Sequence, residues 1–330
     1  MVLISKYWKE VGYLTYNRSI LYVLQPTGRT MFPIIKPSAR AFIKEALRTK
    51  GYSLFNFIHI FFYGMFPYFY IGVIKGDLWP GRLVGWIIGI WQRVFPPLPP
   101  EPGRVTFADT YHGKVVPLST AKQLVSVKEN LQVSYPEQVI PYKLARDLLL
   151  HDPTHITVID CPCRVSKKES CKPVDVCLIV GEPFAGLVAE YHPRRARRIN
   201  QAEAALIILD EERRGHVHHA FFKDAVLGRF YAICNCCACC CGAMQGHRNG
   251  TPMLASSGYL CHVDSSNCMG CGECVKVCQF QALHLEDGVA AVNETVCMGC
   301  GVCASHCPNE ALSLELAPWK GVPMTLPVPN

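Results

Sequence analysis

The 330-residue chain lacks the signatures that most readily name an activity: there is no GxGxxG nucleotide fingerprint, no phosphate-cradling GxxxxGK[ST] loop and no CxxCH haem attachment. Dinucleotide, P-loop and c-type haem chemistry are thereby set aside. A cleavable secretory signal is not expected either, because the apolar run starts late and no small-residue cleavage site follows it. Excess charge is also missing over most of the length. Residues 1–50 hold nine Lys or Arg against Glu10 and Glu45, whereas the rest carries 24 bases and 24 acids, so the net +7 is local. No nucleic-acid-binding motif accompanies that basic segment, and attraction to anionic lipid headgroups explains it better than nucleic acid does.

What the chain has in abundance is sulfur. Six of its nineteen cysteines fall within CNCCACCC at 234–241, and most others sit in CxxC-like spacings too tight to staple distant elements. Such crowding points to thiolate metal ligands in a reducing compartment.

The length and the half-apolar composition allow two or three domains. Residues 53–74, SLFNFIHIFFYGMFPYFYIGVI, carry no formal charge and as one helix would span about 33 Å, enough for a bilayer. A second run at 83–91 would reach about 14 Å, too short to cross. Gly64 and Pro67 are placed to break the longer run, so a monotopic or re-entrant dip is favoured over a true crossing or a buried helix pair. Lys75, Asp77, Trp79, Pro80 and Arg82 suit a headgroup zone. PPLPPEPG at 96–103 reads as a semi-rigid spacer. Beyond it, VIPYKLARDLLLHD has helical periodicity, HITVID and RFYAI read as strands running into cysteines, and NQAEAALIILDEERRG reads as a helix capped by Asn200 and ended at Gly215.

Near the C-terminus, Cys268, Cys271, Cys274 and Cys278 recur 29 residues later as Cys297, Cys300, Cys303 and Cys307, and Ala282-Leu283 recurs as Ala311-Leu312. Three thiolates at intervals of three suit one corner region of an iron–sulfur cube, with Gly270, Gly272, Gly299 and Gly301 allowing close backbone approach. This stretch resembles the two-cluster bacterial ferredoxins. The resemblance implies two 4Fe-4S clusters with exchanged fourth ligands: Cys307 joins Cys268, Cys271 and Cys274, and Cys278 joins Cys297, Cys300 and Cys303. Gln279 stands where that family usually has proline.

Ten thiols lie upstream: Cys161, Cys163, Cys171 and Cys177, then Cys234, Cys236, Cys237, Cys239, Cys240 and Cys241. They exceed what one cube uses, so one or two further clusters are expected. Spacing leaves open whether each loop holds its own cube or both share one. Alternation on an extended strand would let Cys236 and Cys237, or Cys239 and Cys240, serve different centres. The pattern DCPCR, CKPVDVCLIVG and CNCCACCC resembles a poorly characterised group of ferredoxin-like proteins from anaerobic prokaryotes, a likeness that implies redox work and no named reaction. Arg164 is a candidate either for hydrogen bonding to cluster sulfide or for a surface ion pair. His216, His218 and His219 read as packing or surface residues, Cys261 as a buried free thiol, and YHPRRARR at 191–198 as a solvated face or a dock for an acidic partner.

The expected fold is α+β: a basic segment 1–50, apolar membrane-associating helices 51–95, a linker 96–103, a cysteine-rich α+β domain 104–260, a pseudo-twofold ferredoxin domain 261–316 and a tail 317–330. The expected function is iron–sulfur electron transfer at the cytoplasmic face of a membrane, as a peripheral or monotopic protein or subunit. Its partners would be the membrane surface or an integral subunit, and flavoprotein, quinone- or cytochrome-linked redox subunits. The rival is an oxidoreductase with a catalytic, site-differentiated cluster on Cys234–Cys241.

Overall fold

A computed structural model describes residues 36–49, 52–94, 111–135, 139 and 147–327. The first 35 residues of the basic segment and the whole of the 96–103 linker lie outside these described residues.

The cysteine-rich domain is built on a nine-stranded sheet. Its strands are β1 (Tyr111–Val116), β2 (Leu131–Ser134), β3 (Asp147–Leu150), β4 (Ile156–Asp160), β5 (Asp175–Val180), β6 (Ala196–Ile199), β7 (Val217–Lys223), β8 (Arg229–Cys236) and β9 (Leu254–Ala255). The main order is β6, β4, β5, β8, β7, β1, β9, with β3 joining β8 and β2 joining β3. Every residue of β7 is buried because both faces are covered.

Period-two alternation divides those faces. Leu178, Val180, Ala220, Phe222 and Ile233 point into a core closed by helices Leu118–Ser126 and Gln201–Arg213. Cys177, Ile179, Phe221, Ala232 and Cys236 point the other way, against helices Pro37–Arg48, Leu54–Met65 and Phe184–Tyr191. The strand cysteines therefore face the apolar N-terminal helices.

The expected strands at 156–160 and 229–236 are present, and Asn200 caps its helix by accepting from the Glu203 amide at 2.8 Å. Gly215 ends that helix in the left-handed region at φ +76°. One expectation fails: the helical periodicity read from VIPYKLARDLLLHD ends in strand β3, while 140–146 lie outside the described residues. Leu148 and Leu150 are completely buried in the sheet core, and pairing with β2 overrides local propensity.

The apolar run breaks where Gly64 and Pro67 predicted. Helix Leu54–Met65 is capped by Ser53, helix Pro67–Ile74 starts on Pro67, and Phe66 joins them. His192 Nε2 donates to the Gly64 carbonyl at 2.5 Å and ties the break to the domain. No single described helix is long and apolar enough to cross a membrane; the pair Leu54–Met65 and Pro67–Leu83, bent by 104°, meets the test by length and composition. Lys75 departs from the headgroup reading. Its side chain is 4% exposed, paired with Asp77 at 2.7 Å and donating to the Cys163 carbonyl at 2.9 Å.

The C-terminal unit pairs β10 (Tyr259–Val263) with β13 (Leu312–Leu316) and β11 (Leu283–Glu286) with β12 (Val289–Val292) around short helices Glu273–Val277 and Val302–Ser305. The chain is thus α+β with a ferredoxin-type domain. The segment after it is not a free tail as far as it is described: Met324 is buried, and Val322 and Thr325 accept from Lys114 and Tyr135 of the sheet domain.

Candidate iron–sulfur and metal centres

Two pockets occupy the two halves of the C-terminal unit. Cys268, Cys271, Cys274 and Cys307 line the first; Cys278, Cys297, Cys300 and Cys303 line the second. These are the exchanged sets that the resemblance implied. The duplication extends to the hydrogen bonds, since the Ala282 amide donates to Cys278 Sγ at 3.2 Å and the Ala311 amide to Cys307 Sγ at 3.3 Å. Amides aimed at thiolate sulfur stabilise a charged thiolate and tune any iron it binds.

Two of the four glycines carry a constraint beyond the expected close backbone approach. Gly270 and Gly299 adopt φ +69° and +63°, and a Cβ there would lie 2.2 Å from the Gly288 oxygen and 2.1 Å from the Tyr259 oxygen. Close strand carbonyls, as well as the left-handed backbone, exclude a side chain.

Residues 267–312 match the 4Fe-4S dicluster domain family. No curated protein matches the chain. The matched domain and its two cysteine-lined pockets make this a protein of multiple 4Fe-4S clusters. Mostly apolar walls, with at least four sulfur donors in each, suit such a group.

The two halves differ in their surroundings. Cys271 is exposed and its neighbour Met269 is 64% exposed, so the first pocket sits beside solvent. Met298 and Val302, which wall the second pocket, belong to the same core as the sheet domain. Cys261 is buried, as expected, but it is not remote from the site: its Sγ lies 3.5 Å from Cys303 Sγ and it lines the second pocket. The corresponding residue of the first half is Ala290.

The upstream thiols fall into two groups that each draw on both loops, as the shared alternative had it, but divided six and four. Mutual electrostatic influence links neighbouring thiols, Cys161 to Cys163 and Cys177, Cys163 to Cys241, Cys177 to Cys234, and Cys236 to both Cys234 and Cys241. These six form a closed ring. The other four, Cys171, Cys237, Cys239 and Cys240, have sulfurs that all lie within 4.8 Å of one another. Strand alternation separates Cys236 from Cys237 as expected, but Cys239 and Cys240 stay together and the second division falls between Cys240 and Cys241. The turn at Cys237 causes this, because Cys241 N donates back to the Cys237 carbonyl at 3.0 Å and returns Cys241 to the ring. Segment 234–241 therefore belongs to two sites.

Within the ring, the neighbouring Cys161 and Cys241 thiols hold Cys163 well below its ordinary pKa and Cys177 and Cys236 bring Cys234 down to about 7, while Cys161, Cys177, Cys236 and Cys241 are pushed up. In the tetrad, burial opposes ionisation of Cys239, yet bonds from Cys171, Cys237 and Cys240 lower its pKa. Each group thus contains a thiol biased toward the metal-binding thiolate.

Arg164 is not a surface ion pair. Its guanidinium is 1% exposed, meets Glu211 Oε2 at 2.5 Å and donates to the Asn235 carbonyl at 3.0 Å, tying the Cys163 turn to β8. The histidines are packing residues: all three are buried, His216 contacts Glu211 at 2.7 Å and His218 contacts Glu212 at 2.9 Å. In YHPRRARR, Arg195, Arg197 and Arg198 pair with Asp160, Glu203 and Glu182.

Sequence reading flagged Gln279 and missed its role. Its Oε1 accepts from the Ala238 amide at 2.8 Å and its Nε2 donates to the Gly215 carbonyl at 2.9 Å. One side chain therefore clamps the second pocket's Cys278 loop onto the centre of CNCCACCC. The signal was the missing proline, because proline could make neither bond.

Proposed function

We propose that the protein is an electron-transfer subunit in which the two ferredoxin clusters continue through the upstream thiol sites toward an apolar, membrane-facing helix pair. The observation that carries this reading is the Gln279 clamp, which places Cys278 one residue from a side chain bonded between Cys237 and Cys239. When bound, 4Fe-4S clusters supply one-electron oxidation and reduction, and the chain's part is to hold, insulate and align them.

The order follows from exposure. Cys271 and Met269 give the first cluster site a solvent-facing edge for a soluble redox partner, such as a flavoprotein subunit. The second site joins the common core that also contains Cys161, Cys177, Cys236 and Cys241 of the six-thiol ring, and the ring would hold a further cluster. Cys161, Cys163, Cys177, Cys234, Cys236 and Cys241 supply its ligands. The ring abuts the helix pair: Tyr63 hydrogen-bonds with Tyr231 beside Cys163 and Cys234, and Lys75 holds the Cys163 carbonyl.

Membrane association is supported by what the helix pair leaves outward. Phe61 and Phe66 there, and Trp79 and Trp86 on the following helix Trp79–Val94, are 55, 52, 73 and 66% exposed, apolar and aromatic side chains of the kind that seek a bilayer interface. Together with the basic N-terminal segment they favour a monotopic protein on the cytoplasmic face, serving a quinone- or cytochrome-linked partner. The rival catalytic reading placed one cluster on Cys234–Cys241, a segment the structure divides between two sites.

The test is an anaerobic potentiometric titration followed by electron paramagnetic resonance. The relay predicts at least three interacting iron–sulfur signals that no added substrate perturbs. Two signals alone, or a third that never changes oxidation state, would overturn it.

A further inference from the structure

We infer that the upstream tetrad, Cys171, Cys237, Cys239 and Cys240, binds one thiophilic metal ion, Zn²⁺ or Fe²⁺, and not a 4Fe-4S cube. This depends on the upstream thiols being metal ligands but not on electrons passing through them.

The spacing of the sulfurs carries the assignment. A single tetrahedral ion with metal–sulfur bonds of about 2.3 Å sets its four sulfurs about 3.8 Å apart. In the tetrad every sulfur lies within 4.8 Å of the others, with Cys171 to Cys239 at 3.1 Å and Cys239 to Cys240 at 3.6 Å. A cube needs more room, since each thiolate binds a different iron and the core lies between them. The same molecule shows that wider arrangement. Among the described residues, no three thiols lining either ferredoxin pocket approach one another this closely, and neither do any three of the ring. The tetrad thus closes around a point, whereas the ferredoxin thiols stand apart around their two pockets.

Its supports fit a small charged centre. Four thiolates around a divalent ion leave a net charge of about −2. Lys167 stands beside Cys239, donating from Nζ to its carbonyl at 2.8 Å, and Gln245 donates to the same oxygen at 2.9 Å. The Cys240 and Cys241 amides both turn back to the Cys237 carbonyl and fix the ligand-bearing turn. A single ion here pins the loop 161–177 to the turn 237–240, on which Gln279 also pulls.

The experiment uses full-length protein purified anaerobically, with iron, zinc and acid-labile sulfide counted per chain. Cys239→Ser is the variant, chosen because Cys239 is exposed. The expected result is loss of one metal atom per chain with sulfide unchanged. If that atom is iron, the charge-transfer absorption of a lone thiolate-bound ferric ion disappears with it; if zinc, the visible spectrum is unchanged. Loss of iron and sulfide together in cube proportions, or loss of no metal, overturns the inference. Should the variant fail to fold, wild-type protein decides: iron plus zinc exceeding sulfide by one per chain supports the single ion, and equality contradicts it. Because the cubes contribute metal and sulfide equally, this excess is read separately from the presence of a third cluster.

Discussion

Gln279 is the residue at which the ferredoxin pattern and the upstream domain meet. Replacing it with proline restores the usual ferredoxin residue while deleting two interdomain hydrogen bonds, each worth about 1 kcal/mol net. Both ferredoxin clusters are expected to assemble in Gln279→Pro, with slower exchange between them and the upstream centre in freeze-quench experiments. Unchanged exchange would remove the clamp from the route. At Arg164 the expectation concerns stability. Arg164→Met leaves the buried Glu211 with only His216 and Arg214 as partners, a loss below the about 3–5 kcal/mol of a wholly unpaired buried charge, read as a lower anaerobic unfolding midpoint. Lys223 adds a pH signature: burial brings its pKa down to about 7, against 10.5 ordinarily. The unfolded chain then binds more protons than the folded one between those values, so stability rises with pH across this window by up to about 1.4 kcal/mol per unit. Lys223→Met should flatten that rise in denaturant titrations at pH 7 and pH 9.

At the scale of elements, the turn geometries of the ferredoxin halves predict selective losses. In Gly299→Ala the new methyl meets the Tyr259 oxygen, so the second cluster should be lost while the first, whose Gly270 is untouched, keeps its resonance signal. The duplicated motif, the Asn200 cap and the break at Gly64–Pro67 were all legible in the sequence, because each rests on local backbone chemistry. The division of CNCCACCC was only half legible. Alternation separates Cys236 from Cys237, but the return of Cys241 depends on a turn closing onto the Cys237 carbonyl, which spacing does not encode. Strand β3 was misread because its leucines serve a distant sheet partner. Lys75 was misread because its partner, the Cys163 carbonyl, is 88 residues away.

For the whole molecule, the apolar helix pair, the cysteines of the six-thiol ring and the wall of the second ferredoxin pocket share one hydrophobic core. Phe61→Glu with Trp86→Glu, both on the outward face, should weaken co-sedimentation with anionic phospholipid vesicles and leave the iron content intact. The central claim is that the thiols before residue 242 hold iron–sulfur chemistry beyond the ferredoxin domain. Acid-labile sulfide per chain, measured on anaerobically purified full-length protein, tests it most directly. About twelve sulfides are predicted, four beyond the ferredoxin pair; about eight would contradict the account.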